Sequence, residues 1–121
     1  MASYFMDTYA MIEIIRGNDN YKKYLRENVY TSLFHLYEFY FSILRDFGAD
    51  IAKEYFLQFR DKFIEITDSD IFEASGFKSE HIKKKLSYAD CLGYAMAKER
   101  GMKFLTGDNA FESIENVEYV K

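Results

Sequence analysis

The chain has 121 residues, with 16 Lys plus Arg against 20 Asp plus Glu and a formal charge of −4. That length suits one domain, and the charge gives no global positive field to gather nucleic acid. Hydrophobic residues make up 49%, and the 19% aromatic share comes entirely from 12 Phe and 11 Tyr, which excludes a disordered chain.

Residues 3–6 (SYFM) form a short apolar run that ends at Asp7-Thr8, and the following YAMIEIIRG reads as a helix closed by Gly17. Asp7 and Glu13 interrupt this N-terminal stretch, and it has neither basic leader nor cleavage site, so no signal peptide is expected. Residues 18–28 suggest a short polar helix with apolar points at Tyr21, Tyr24 and Leu25. Val29-Tyr30-Thr31 is β-prone, and Ser32 is placed to cap a long helix running to about Phe47, with Gly48 as its stop.

A second long helix is expected over about 49–62, with Ile51, Tyr55, Phe56 and Phe59 on one side. The alternation of residues 63–67 (FIEIT) predicts a strand. Residues 68–85 read as a more polar helix weakly broken at Gly76; Ser87 then opens a helix that Gly101 ends. Residues 102–106 predict the next strand, and 117–120 an edge strand. Strands separated by helices of this length imply an α/β fold, a central mainly parallel sheet flanked by helices on both faces, in a single domain over 1–121. The longest stretch free of Asp, Glu, Lys and Arg, 28–37, is about half the roughly 20 residues of a membrane span. With the lone Cys91 unable to form an internal disulfide, a soluble, cytoplasmic protein with no membrane partner is expected.

Four carboxylates stand out. Asp7 and Asp108 each follow an expected strand, where an aspartate often serves only as a cap. Asp90 lies three residues after Ser87 in a capping-box pattern, at the start of the almost wholly apolar CLGYAMA. Glu38 sits in SLFHLYEFYFSIL, a helix with little face left for water, so its partly buried charge needs a partner such as Arg45 or a tyrosine hydroxyl. A hard divalent cation, Mg²⁺ or Mn²⁺, would account for all four, since such ions take carboxylate oxygens and bridge to phosphate. Converging acids without one would raise at least one pKa. Lys83, Lys84 and Lys85, just before the Asp90 helix, are the better of two basic clusters for contacting RNA phosphates. His35 precedes Glu38 by three residues, but a core or surface histidine is the expectation, because a hard-metal site has no need of imidazole.

"YFMDTYAMIEI", "TSLFHLYEF" and "LSYADCLGYAMAKERGMKFLTGDNAF", with their acids in the order Asp7, Glu38, Asp90, Asp108, resemble the PIN-domain ribonucleases, most closely the VapC-like toxins of prokaryotic toxin–antitoxin pairs. The resemblance spans nearly the whole chain. It implies a PIN-like α/β fold and a metal-dependent endoribonuclease whose four acids are at once catalytic and metal-binding. Thr106, Thr8 and Asn109 match supporting positions around that site. It further implies an RNA substrate, a homodimer and an antitoxin protein as partners. The alternatives are a PIN-domain nuclease of RNA processing or one acting on DNA, and an inactive PIN-fold interaction module. The density of Tyr and Phe in the helix from Ser32 and in the next one fits either core packing or an exposed groove for such a partner.

Overall fold

A computed structural model describes residues 2–121. Its centre is a four-stranded, all-parallel sheet in the order β2-β1-β3-β4, formed by β1 (Ser3–Met6), β2 (Asn28–Tyr30), β3 (Lys103–Thr106) and β4 (Val117–Tyr119). The two central strands, β1 and β3, pair Phe5 with Phe104 and Met6 with Leu105. Because side chains alternate along a strand, Phe5 and Phe104 enter one apolar cluster while Met6 and Leu105 enter another, all fully buried. Both faces of the sheet are therefore covered, as a parallel sheet requires.

Helices α1 (Thr8–Ile15), α2 (Leu33–Phe47) and α3 (Ala49–Phe59) supply the first cluster, through Ala10, Met11, Leu36, Phe39, Ile43, Ala52 and Phe59. Helices α4 (Asp68–Glu80) and α5 (Tyr88–Glu99) supply the second, through Ala74, Cys91, Tyr94, Ala95, Met96 and Ala97. Each fully buried large side chain contributes about 1.5–3 kcal/mol of transfer free energy. The predicted parallel α/β architecture is observed.

Four local expectations are corrected. Residues 63–67 form no strand: the chain touches the sheet only through the isolated Thr31–Phe63 bridge, where Thr31 N–H donates to the Lys62 carbonyl and Ile64 N–H to that of Thr31. Thr67 then caps α4, and a capping box with Asp70 turns the chain away. The polar helix after Gly17 is a 3₁₀ segment, Asp19–Arg26, that buries Tyr21 and Tyr24 but leaves Leu25 exposed. The second long helix ends at Phe59 and finishes as a 3₁₀ turn, Arg60–Lys62; its Ile51 points out, and Ala52 is buried beside Phe59. Gly76 does not break α4, which runs on to Glu80 before a separate 3₁₀ turn, Ile82–Lys84, that carries two of the three lysines. No helix among the described residues is long and apolar enough to cross a membrane.

Candidate active site

In an open parallel sheet, a cleft forms where neighbouring connections leave in opposite directions. Here β1 leads to β2 on one side and lies beside β3 on the other, so the carboxyl ends of β1 and β3 flank that point. Asp7 follows β1 and Asp108 lies two residues past β3. The cleft between them, about 270 Å³, is lined by Asp7, Thr8, Tyr9, His35, Glu38, Ala89, Asp90, Gly107, Asp108, Asn109 and Lys121. All four sequence-selected acids meet there, from the ends of β1 and β3, the second turn of α2 and the first turn of α5.

The capping and cleft roles coexist in three of them. Asp7 caps α1, its Oδ1 accepting from Ala10 N–H at 2.8 Å. Asp108 accepts from Ala110 N–H at 3.0 Å, and Asp90 shares a capping box with Ser87. Thr106 joins two strand ends: its hydroxyl donates to Asp7 Oδ2 at 2.5 Å and accepts from Asp108 N–H at 3.1 Å. Glu38 is half-buried, and its partner is neither Arg45, which pairs with Asp46, nor a tyrosine; the Thr8 hydroxyl donates to its Oε1 at 2.8 Å. Thr8 and Thr106 thus hold two of the acids, each from a single local position. Asn109 lines the cleft and accepts from the Tyr119 hydroxyl at 2.6 Å.

The electrostatics follow from this crowding. Asp7 is only 4% exposed; burial first, then the charges of Asp90 and Asp108, push its carboxyl up to about 7 against the pull of the Thr106 and Ala10 hydrogen bonds. Asp90 is also raised, by burial and by Asp108. None of the four acids forms a salt bridge within 4.0 Å among the described residues. His35 is a core histidine, as expected: its Nδ1 meets Ser32 Oγ at 2.6 Å, its Nε2 meets the Ala89 carbonyl at 2.8 Å, and burial lowers its pKa to about 4. It ties α2 to the start of α5, which brings Glu38 toward Asp90. Gly93 is required beneath it, since a Cβ there would lie 2.8 Å from His35 Nε2.

The donor set is all oxygen and all acidic, which matches Mg²⁺ or Mn²⁺ and not zinc or a soft metal. No three His, Cys, Asp or Glu side chains among the described residues close tightly enough to enclose an ion directly. An ion in this cleft would therefore keep much of its water and take one or two of the carboxylates directly, which Mg²⁺ can do. A larger recess of about 460 Å³ between α4 and α5 also carries acids, Glu73, Glu80 and Glu99, but all three are exposed and Lys98 stands among them, so burial and charge, not volume, select the cleft.

Of the three lysines, none lines the cleft; Lys84 reaches the Ala110 carbonyl at 3.2 Å, next to the Asp108 turn. Two further residues line it: Tyr9, two residues after Asp7 in α1, and Lys121, which had no signal in the sequence because only the pairing of β4 with β3 brings it to this end of the sheet.

A family model described as the PIN domain matches residues 4–117. No curated protein matches the chain in sequence. Among solved structures, the VapC20 toxin of Mycobacterium tuberculosis, described as cleaving the sarcin-ricin loop, superposes with a TM-score of 0.78 at 19% identity, covering 98% of this chain and 99% of that one. VapBC2 of Rickettsia felis, bound to a DNA fragment from its promoter, gives 0.74 at 18% identity and 95% of each chain. A toxin–antitoxin complex from Klebsiella pneumoniae gives 0.73 at 19% identity and 94% of each. At these identities the likeness is one of fold.

Proposed function

The chain belongs to the PIN-domain family, and from that premise we propose that it is a Mg²⁺- or Mn²⁺-dependent endoribonuclease, the toxin of a type II toxin–antitoxin pair. The observation that carries this reading is the meeting of Asp7, Glu38, Asp90 and Asp108 in one cleft with no salt bridge within 4.0 Å to any of them among the described residues. One or two of these carboxylates would hold the ion directly and the others through its water, and the ion when bound would supply Lewis-acid stabilisation of the charge that develops on the phosphate.

The chain's own residues supply the rest. Thr106 and the Ala10 amide fix Asp7, Thr8 fixes Glu38, and Ser87 fixes Asp90, so the acids are oriented before substrate arrives. Hydrolysis needs a group to take the proton of the attacking water while the 3′-oxygen leaves, and a carboxylate that titrates near neutral pH is suited to that transfer. Asp7, pushed up to about 7 in the metal-free cleft, would be ionised once it holds the ion, so the proton would go to an acid of the cleft that the ion does not hold.

The named complexes among the structural neighbours support an antitoxin partner. A mostly apolar recess of about 400 Å³ between α1, α2 and α3, edged by Ile12, Ile15, Phe47 and Ile51, suits an amphipathic helix of that partner. Tyr37 and Phe41, one turn apart on α2 and 70% and 56% exposed, provide an apolar row for a second copy of the chain.

The test is cleavage of an RNA pool with Mn²⁺ and with chelator, by the wild type and by Asp108→Asn. Cleavage should require Mn²⁺ and vanish in the variant. Undiminished cleavage by Asp108→Asn contradicts the assignment; wild type that neither cuts RNA nor binds Mn²⁺ turns the reading toward an inactive interaction module.

A further inference from the structure

Among the described residues the single cation lining the acid cleft is Lys121, and we propose that its ammonium is the phosphate clamp that seats the RNA backbone beside the reacting bond. This rests on the ribonuclease reading above and names a positioning residue for it.

The position is built. After β4, Val120 N–H donates to the Thr106 carbonyl at 2.9 Å, which extends the β3–β4 pairing to the edge of the cleft. From the other side, the Tyr21 hydroxyl donates to the Val120 carbonyl at 2.6 Å and Asn20 Nδ2 to the Lys121 carbonyl at 2.9 Å. Gly107 permits the approach: a Cβ there would lie 2.3 Å from the Tyr9 ring and 2.5 Å from the Val120 carbonyl, and both would have to move. The backbone of Val120 and Lys121 is thus held by β3 through Thr106 and by one segment about a hundred residues earlier, Asn20-Tyr21, which fixes where the lysine side chain leaves the chain.

Its side chain is not consumed internally. Four carboxylates share its cleft, yet no salt bridge within 4.0 Å engages it among the described residues, because hydroxyls and amides turn those acids elsewhere. Its Nζ lies 5.7 Å from the centre of the Tyr9 ring, a weak cation–π contact that directs the ammonium along the cleft wall and leaves its N–H groups free. A cation beside a cleft of acids reduces the repulsion that those acids impose on an incoming polyanion. It would meet a phosphate as a point charge, which suits a backbone contact and reads no base.

The experiment measures binding of a fluorescein-labelled single-stranded RNA of random sequence to the full chain in Ca²⁺, across a salt series, for wild type, Lys121→Met and Lys121→Arg. Lys121→Met should weaken binding about fivefold and lower the slope of log affinity against log salt by about 0.7, the loss of one phosphate contact on a single strand. Lys121→Arg should restore the slope, and Mn²⁺ should raise the melting temperature of Lys121→Met as much as that of wild type. An unchanged slope, an arginine variant as weak as the methionine one, a lost Mn²⁺ response, or no RNA binding by wild type would each overturn the proposal. Lysine-dependent binding of RNA that is never cut would leave the clamp standing and sink the nuclease reading, so the two failures are distinguishable.

Discussion

Asp70 and Asp7 are both buried aspartates at helix starts, and their surroundings differ in one respect. Asp70, fully buried in the first turn of α4, takes two hydrogen bonds of 2.8 Å from the Arg100 guanidinium, which holds its carboxyl below the usual range. Asp7 receives only a hydroxyl and an amide, faces two further acids, and is pushed up to about 7. One carboxylate carries its counter-ion in the fold and is a strut between α4 and the end of α5. The other is charged or neutral according to pH and to what binds, which is the property a catalytic cleft uses.

The largest expected effect lies on the cleft side. Asp7→Asn should lower Mn²⁺-dependent RNA cleavage by at least about a thousandfold, the several kcal/mol of charge stabilisation at stake, in an RNA-pool assay. In the metal-free protein the same change should stabilise the fold above pH about 7. The sign follows from linkage: a carboxyl raised from 3.8 to about 7 binds its proton more tightly when folded, so stability falls as pH climbs through that window. The shift corresponds to at most about 4 kcal/mol, readable as melting temperature against pH. His35 works in the opposite direction. Lowered from 6.5 to about 4, it costs stability as pH falls through that range.

On the strut side, Arg100→Ala should cost about 3 kcal/mol by stranding Asp70, or about 10 °C in melting temperature. Cleavage per folded molecule should persist. If Arg100→Ala instead abolishes cleavage at temperatures where it is folded, the division into strut and site breaks. A smaller effect is expected from Thr8→Val, which releases Glu38: about a tenfold loss in apparent Mn²⁺ affinity, measured by cleavage against Mn²⁺ concentration, with little change in melting temperature.

The sequence shows much of this and conceals particular pieces. Strand, acid, helix around Asp7 and around Asp108 is a local pattern, so the parallel sheet and the placement of its acids were legible. The roles of Thr106 and Thr8 came from the family resemblance, and the hydrogen bonds to Asp7 and Glu38 give them a physical content. The FIEIT segment misled because alternation reports a potential to pair, while the capping box at Thr67–Asp70 takes the chain away after one bridge. Arg100 and Lys121 were invisible for a different reason. Each acts through a contact far along the chain, Arg100 with Asp70 and Lys121 through the β3–β4 pairing, and nothing in their neighbours announces it. The triple lysine drew attention because it is a run, yet the cleft is lined by a single lysine instead.

The most direct test of the central claim is calorimetric titration of Mn²⁺ into wild type and Asp7→Asn near pH 7, repeated in two buffers of different ionisation heat to count protons. Wild type should bind Mn²⁺ and release a fraction of a proton, since the ion competes with the proton on Asp7, whose carboxyl titrates at about 7. Asp7→Asn should bind far more weakly and release none. Equal affinity and equal proton release in the two proteins would contradict the account.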